Sequence, residues 1–265
     1  MSTVVIKPDE HNYGFFSCCS VIMTRIVEFI NEQNRLPDGV DTSVMFRWYK
    51  YYSNRNRDIT FDYFTHYDQI AEEVITPIDY HWEHQFNDYT TLEYDKICPL
   101  VRKYFTPSNE INNMIRAIET KYSVNYDNLC VLFYRGNDKN RETKICGYDE
   151  YVDYAKRIIS KNPETLFLIQ SDETEFINYF AQLYPTNHIV FKDEIRHMNR
   201  CNSTVDVLYR QHNFLFSKYY LAITVIMSKA KYIVCGSGNC SIWILFYRGN
   251  AKNVFQNLNG VWIEG

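Results

Sequence analysis

From about residue 126 onward, short uninterrupted apolar runs alternate with stretches of helical spacing. The runs 129–135 (LCVLFYR), 166–172 (LFLIQSD), 188–193 (HIVFKD) and 231–237 (KYIVCGS) are rich in β-branched and aromatic residues and predict four strands. Between them, 148–160 places Tyr151, Tyr154, Ala155 and Ile158 on one helical face. Residues 173–184 predict a helix with acids in its first turn, where the dipole favours them. Residues 214–230 form a long helix apolar enough to be largely buried, and 240–248 form the next. Strands that are apolar throughout are buried on both faces. Their alternation with helices predicts an α/β fold, a parallel sheet with helices on both faces.

The pattern changes near residue 125. Upstream, 3–7 (TVVIK) predicts a short strand, 8–14 (PDEHNYG) a loop, and about Phe15 to Asn34 a helix. Val21, Ile22, Ile26, Phe29 and Ile30 form the apolar face of that helix, and Pro37-Asp38-Gly39 ends the unit. Residues 40–85 mix a possible strand at 58–64 (DITFDYF) with aromatic loops, and two helices fill 93–122. This reads as a smaller α/β lobe over 1–125, followed by the sheet lobe over 126–265.

Composition narrows the function classes. A 46% hydrophobic content indicates a globular chain. The net charge of −4 argues against a general nucleic-acid binder, while leaving room for a local basic pocket. No N-terminal segment has the order of a signal peptide, and runs such as Leu221–Met227 are too short to span a bilayer. The expectation is a soluble cytoplasmic protein without a membrane span. None of the eight cysteines forms a CxxC pair, so reduced, buried thiols are expected rather than zinc ligands. His81 and His84 flank Trp82 at i, i+3 spacing without a third ligand, which reads as aromatic surface or lobe packing. The 23 tyrosines reflect either genomic base composition or aromatic surface for a planar or sugar ligand.

Candidate chemistry collects where the strands end. In open parallel sheets, ligands bind beyond the carboxyl ends of the strands. Three such ends carry polar clusters: Arg135-Gly136-Asn137-Asp138-Lys139, Ser171-Asp172-Glu173 and Gly236-Ser237-Gly238-Asn239-Cys240-Ser241. Taken singly, each is equally an ordinary capped turn, a surface ion pair or a pair of first-turn acids. Together they fall along one sheet edge. Glycines allow close backbone approach, a helix start offers N–H groups to an anion, and arginine adds a permanent bidentate charge. The joint reading is a diphosphate held between Arg135 and the helix start. The spacing matches neither Walker A nor GxGxxG.

These segments resemble the GT-B superfamily of glycosyltransferases that contains the α1,6-fucosyltransferases and protein O-fucosyltransferases. Phe133 to Lys139 is similar to its first motif, His-x-Arg-x-Gly/Thr-Asp, with Phe133 in place of the histidine. Ile169-Gln170-Ser171-Asp172 resembles the second motif, and Tyr232 to Ser241 the third. Gly14-Phe15-Phe16-Ser17 is similar to the family's Gly-rich first loop, and Asn34 to Pro37 fits its first βαβ unit. The resemblance implies two Rossmann-like lobes, the N-terminal one reduced and facing the acceptor, with a nucleotide sugar, typically GDP-fucose, between them. It implies that Arg135 binds the diphosphate and stabilises the leaving nucleotide. It also implies that Ser237, Gly238, Asn239, Cys240 and Ser241 hold phosphate, with Gly14, Phe15, Asp138, Lys139, Ser171 and Asp172 as further substrate contacts. The reaction would be metal-independent and inverting, with no cofactor beyond the donor and a glycan or protein hydroxyl as acceptor. Among Asp9, Glu10 and His11, Glu10 is the candidate base by resemblance to a family loop glutamate. Ala222-Ile223-Thr224 stands where family members place a guanine-reading acid, which leaves the base and the sugar open. The alternatives are a non-catalytic nucleotide-binding module and another phosphate-ligand transferase, such as a sulfotransferase.

Overall fold

The computed structural model describes residues 3–5, 14–51, 56–67 and 74–265. Its centre is a six-stranded sheet made from β5 (Leu129–Tyr134), β6 (Leu166–Ser171), β7 (His188–Ile189), β8 (Tyr232–Gly236), β9 (Val254–Leu258) and β10 (Val261–Glu264). The spatial order is β10-β9-β8-β5-β6-β7, parallel throughout except for the antiparallel β9–β10 pair. All six residues of β5 are buried, which is why this strand lacks the alternation of a half-exposed one. β5 runs in register with both neighbours, Phe133 facing Gln170 of β6 and Cys235 of β8. The helices α5 (Tyr148–Lys161), α6 (Thr174–Leu183), α8 (Asn213–Ser228) and α9 (Asn239–Arg248) fall within a residue or two of their expected spans, with a short α7 (Val205–Leu208) ahead of α8.

Two local expectations are corrected. The third strand ends at Ile189 rather than at residue 193. Backbone N–H groups of Lys192 and Glu194 turn back onto the carbonyls of Val190 and Phe191, and this removes them from the ladder. Residues 58–64 are not a strand. Asp58 accepts the N–H of Thr60 at 2.9 Å and starts the short helix α2 (Thr60–Tyr63), after which only β3 (Phe64–Thr65) is extended. Ile59 and Tyr63, four residues apart, are buried while Phe61 is exposed, which is a helical period. β3 pairs with β4 (Thr106–Pro107). The expected helices of 93–122 are α3 (Tyr94–Tyr104) and α4 (Asn109–Lys121).

At the N-terminus β1 (Thr3–Val5) pairs in parallel with β2 (Gly39–Asp41), flanking α1 (Phe15–Gln33). The apolar core is continuous from α1 into the large sheet. Trp243 of α9 is fully buried, stacks on Phe16 at 6.0 Å, meets Phe105 edge-on at 4.7 Å and donates its indole N–H to Ser20 at 2.9 Å. That satisfied polar tip lets a large aromatic join α1 to α9 without stranding a donor. The eight cysteines are free thiols, seven of them buried. No helix of the described residues is long and apolar enough to cross a membrane.

Candidate active site

The sheet order determines where ligands can sit. From β5 the chain moves outward through β6 and β7, then returns through α8 to β8 on the other side of β5. The carboxyl ends of β5 and β8 therefore flank a topological switch point, where crevices form in open α/β sheets. A cleft of about 310 Å³ lies there. Gly14, Phe15 and Ser17 at the start of α1 line one wall. Arg135, Asp138, Lys139, Ser171 and Asp172 come from the ends of β5 and β6, and Asn239 and Cys240 from the start of α9.

Arg135 is held from three sides. Its Nε donates to Asp172 Oδ2 at 2.8 Å, Nη2 to Asp138 Oδ1 at 3.2 Å and Nη1 to Cys240 Sγ at 3.2 Å. Burial opposes the charge most strongly, but the Asp172 carboxylate together with Cys240, Tyr220 and Asp138 outweighs it and keeps the guanidinium protonated well above its ordinary range. Asp172 also accepts the N–H of Gly136 through Oδ1 at 3.1 Å, and its carbonyl accepts Asn137 Nδ2 at 2.8 Å. The sequence reading treats Asp172 as a substrate contact. The geometry makes it the anchor of Arg135, since both carboxylate oxygens are taken and the side chain is 6% exposed.

Gly136 is required by close packing. A Cβ there would lie 2.0 Å from Glu173 Oε1. Glu173 is itself buried, accepting from Tyr148 at 2.5 Å and Arg200 at 3.2 Å. The glycine thus lets a buried carboxylate press against the loop carrying Asp138 and Lys139. Gly238 has φ of +151° and sits under Lys139, whose Cε would be 3.0 Å from an added Cβ.

The start of α9 differs from the open amide nest expected. Ser237 N–H donates to Asn257 O at 3.0 Å, Gly238 N–H to the Tyr89 hydroxyl at 3.0 Å and Asn239 N–H to Gln85 Oε1 at 3.0 Å. The hydroxyls of Ser237 and Ser241 donate to Asn257 O and Gly236 O. The Ser237 and Gly238 N–H groups and the Ser237 and Ser241 hydroxyls are therefore already used and brace the turn behind the cleft wall. The N–H groups of Cys240 and Ser241 have no acceptor among the described residues. α1 likewise starts at Gly14 without a capping side chain. Glu10, with Asp9 and His11, lies outside the described residues.

Several residues that brace the site carry no signal in the sequence. Gln85 ends the stretch that reads as aromatic loop and Tyr89 lies just beyond it, and they reach the α9 start from 154 and 149 positions away. The His81–His84 segment is a 3-10 turn (Trp82–Phe86) that delivers Gln85, with His84 against the Tyr80 ring. No cluster of three potential metal ligands occurs among the described residues. At the far end of the cleft Arg196 pairs with Asp206 at 2.6 Å, Asp206 accepts from Tyr49 at 2.8 Å, and Glu194 accepts from Lys121 and Tyr122 at 2.6 and 2.8 Å. Glu194 and Arg196 sit in an irregular segment where periodicity is silent.

No protein-family model matches the chain, and no curated protein matches it in sequence. Solved structures do. A crystal structure of NodZ α-1,6-fucosyltransferase soaked with GDP-fucose superposes with a TM-score of 0.57 at 8% identity, covering 100% of this chain and 99% of that one. NodZ co-crystallised with GDP gives 0.56 at 9% identity, with 99% and 97% covered. Fucosyltransferase NodZ from Bradyrhizobium gives 0.57 at 8% identity over the same shares. The resemblance read from the three motifs therefore holds at the level of the fold, which is the GT-B arrangement of these fucosyltransferases.

Proposed function

We propose that the protein is a glycosyltransferase that uses a nucleoside-diphosphate sugar, with GDP-fucose as the first donor to test. The observation that carries this reading is Arg135, half-buried at the switch point and held within 3.2 Å of the α9 start by an anchoring carboxylate. In the reaction the bond between the sugar C1 and the β-phosphate oxygen breaks, and a bond from the acceptor oxygen to C1 forms. The acceptor proton passes to a base. The charge left on the diphosphate falls to Arg135 and to the amides of Cys240 and Ser241, so turnover should be unaffected by chelators. Removing one such donor typically costs about 10²–10³ in rate. For the base we propose Glu10, on the sequence resemblance alone, with residues 1–125 as the acceptor side and 126–265 as the donor side.

One observation favours a second reading. Each guanidinium nitrogen of Arg135 already has a protein partner, as a structural ion pair in a non-catalytic module would. The Cys240 thiol is a weak acceptor, however, and a phosphate oxygen is a far better one. Calorimetry with GDP-, UDP- and dTDP-sugars, followed by donor hydrolysis by wild type and Arg135→Ala, separates the two. A folded Arg135→Ala protein that loses most of its hydrolysis supports the transferase. A wild type that binds no nucleotide sugar overturns it.

A further inference from the structure

We propose that the protein docks on an anionic lipid surface through the tip formed by α7 and the start of α8. The inference goes beyond the transferase reading and stands without it. Of the twelve large apolar side chains exposed among the described residues, four fall within 207–215: Val207 at 54%, Leu208 at 56%, Tyr209 at 40% and Leu215 at 44%. Residues 207–212 are all exposed, so the segment projects from the surface. Its polar order is inverted. Asn213 is 1% exposed, donating through Nδ2 to Asp206 O at 2.9 Å and Trp48 O at 3.1 Å and accepting Arg196 Nη1 at 2.6 Å. Asp206 turns inward too, onto Arg196 at 2.6 Å and the Tyr49 hydroxyl at 2.8 Å. Hydrogen bonds thus hold the tip in place while its aliphatic side chains face outward. A cluster of that kind marks an interaction site.

Charge complementarity selects the partner. The chain carries −4 overall, yet from 195 to 220 Asp206 is the only acid against Arg196, Arg200, Arg210 and Lys218. Arg210 belongs to the tip, and Arg47 stands next to Trp48, whose carbonyl the Asn213 amide holds. Both arginines are exposed, and neither has a carboxylate partner among the described residues. Aliphatic side chains, a tyrosine and unpaired arginines on one projecting segment suit an anionic bilayer surface. The aliphatic groups enter the acyl boundary, the tyrosine sits among the headgroups and the arginines meet lipid phosphate. A protein partner would need a hollow shaped to the tip, whereas a fluid interface adapts to it. No helix among the described residues is long and apolar enough to cross the bilayer, so the contact lies on its surface. Thr204, Val205, Asp206 and Phe216 line the cleft, so docking sets the cleft rim against the headgroups.

The test is flotation of the full chain with vesicles of phosphatidylcholine alone and of phosphatidylcholine mixed with phosphatidylglycerol, with melting curves on every variant. Wild type should bind the anionic vesicles about 10-fold better, and the difference should shrink as salt rises. Val207→Ser combined with Leu208→Ser should lower binding to anionic vesicles about 10-fold through lost apolar burial. Arg210→Gln should lower it about fivefold on anionic vesicles only. Val261→Ser, which removes a 65% exposed apolar side chain on β10, should bind as wild type does. No binding by wild type, equal binding to both vesicle types, or full binding by the double variant overturns the proposal. A dimer in gel filtration that the double variant abolishes, with no vesicle binding, assigns the tip to a second copy of the chain and overturns it as well. Nucleotide-sugar binding is read separately by calorimetry, so failure here leaves the transferase reading intact.

Discussion

Replacing Asp172 by asparagine tests how the site is held together. The change keeps the shape but removes the charge. One amide atom can still accept the Gly136 N–H, but the other becomes an NH₂ facing Arg135 Nε, a donor 2.8 Å away. Removing one partner of a buried ion pair costs about 3–5 kcal/mol. The Arg135 side chain keeps 21% exposure and Asp138 at 3.2 Å, so some charge compensation survives. The expected loss is about 2–3 kcal/mol, because a partly exposed charge recovers part of its solvation. That corresponds to roughly 5–10 °C in melting temperature for a chain of this size. Donor hydrolysis should fall further than stability does, by ~10²-fold, because a reacting group displaced by about 1 Å loses that much. Urea unfolding and nucleotide calorimetry on the same preparation provide the readouts. A variant that is as stable as wild type refutes the anchor. A variant that is destabilised yet binds and hydrolyses donor normally refutes the link from anchor to function.

Three further outcomes follow from the packing. Tyr89→Phe strands the Gly238 N–H and frees the Gln85 carbonyl, and should cost about 1–3 kcal/mol in urea unfolding, the usual penalty for a buried group left unpaired. Gly136→Ala puts a methyl 2.0 Å from Glu173 Oε1 and 2.6 Å from Tyr134 Cε1, and should destabilise by about 1–3 kcal/mol in urea unfolding, an overpacking cost. Burial holds His66, His84 and His197 below the ordinary imidazole value of 6.5, so each is favoured neutral in the folded protein. The unfolded chain then binds more protons, and stability should fall as pH drops below about 6.5. A urea midpoint that stays flat or rises from pH 7 to pH 5.5 contradicts this.

The sheet was legible because β5, β6 and β8 are buried on both faces and so read as unbroken apolar runs. Once those strands are parallel, Arg135, Asp172 and Cys240 must emerge on one edge, and that much of the site follows from strand direction alone. The distinction between substrate contact and anchor did not follow, since both roles need an acid near an arginine. Only the two hydrogen bonds of Asp172 separate them. Gln85 and Tyr89 were invisible because their partners lie at residues 238 and 239, and no local pattern encodes a pairing of that range. The β9–β10 hairpin is different. Asn259 and Gly260 both have positive φ, and Asn-Gly between apolar runs is a strong hairpin signal that the division into helices and parallel strands passes over.

The charges of the cleft explain why its composition gave so little away. Arg135 is matched by Asp172 and Asp138, Lys139 by Glu142, and Arg196 by Asp206. Under the proposed function, an anion would enter a site whose cations already have partners and would have to displace some of them. The partners differ in how firmly they are held. Asp172 is 6% exposed with both oxygens bonded, whereas Asp138 and Glu142 are 22% and 42% exposed and can return to water. Exposed pairs contribute little, so the outer carboxylates leave at small cost while the buried one keeps the guanidinium aimed. A site built this way is nearly neutral on its own, and under the proposed function it would develop positive character only as a diphosphate replaced the outer acids.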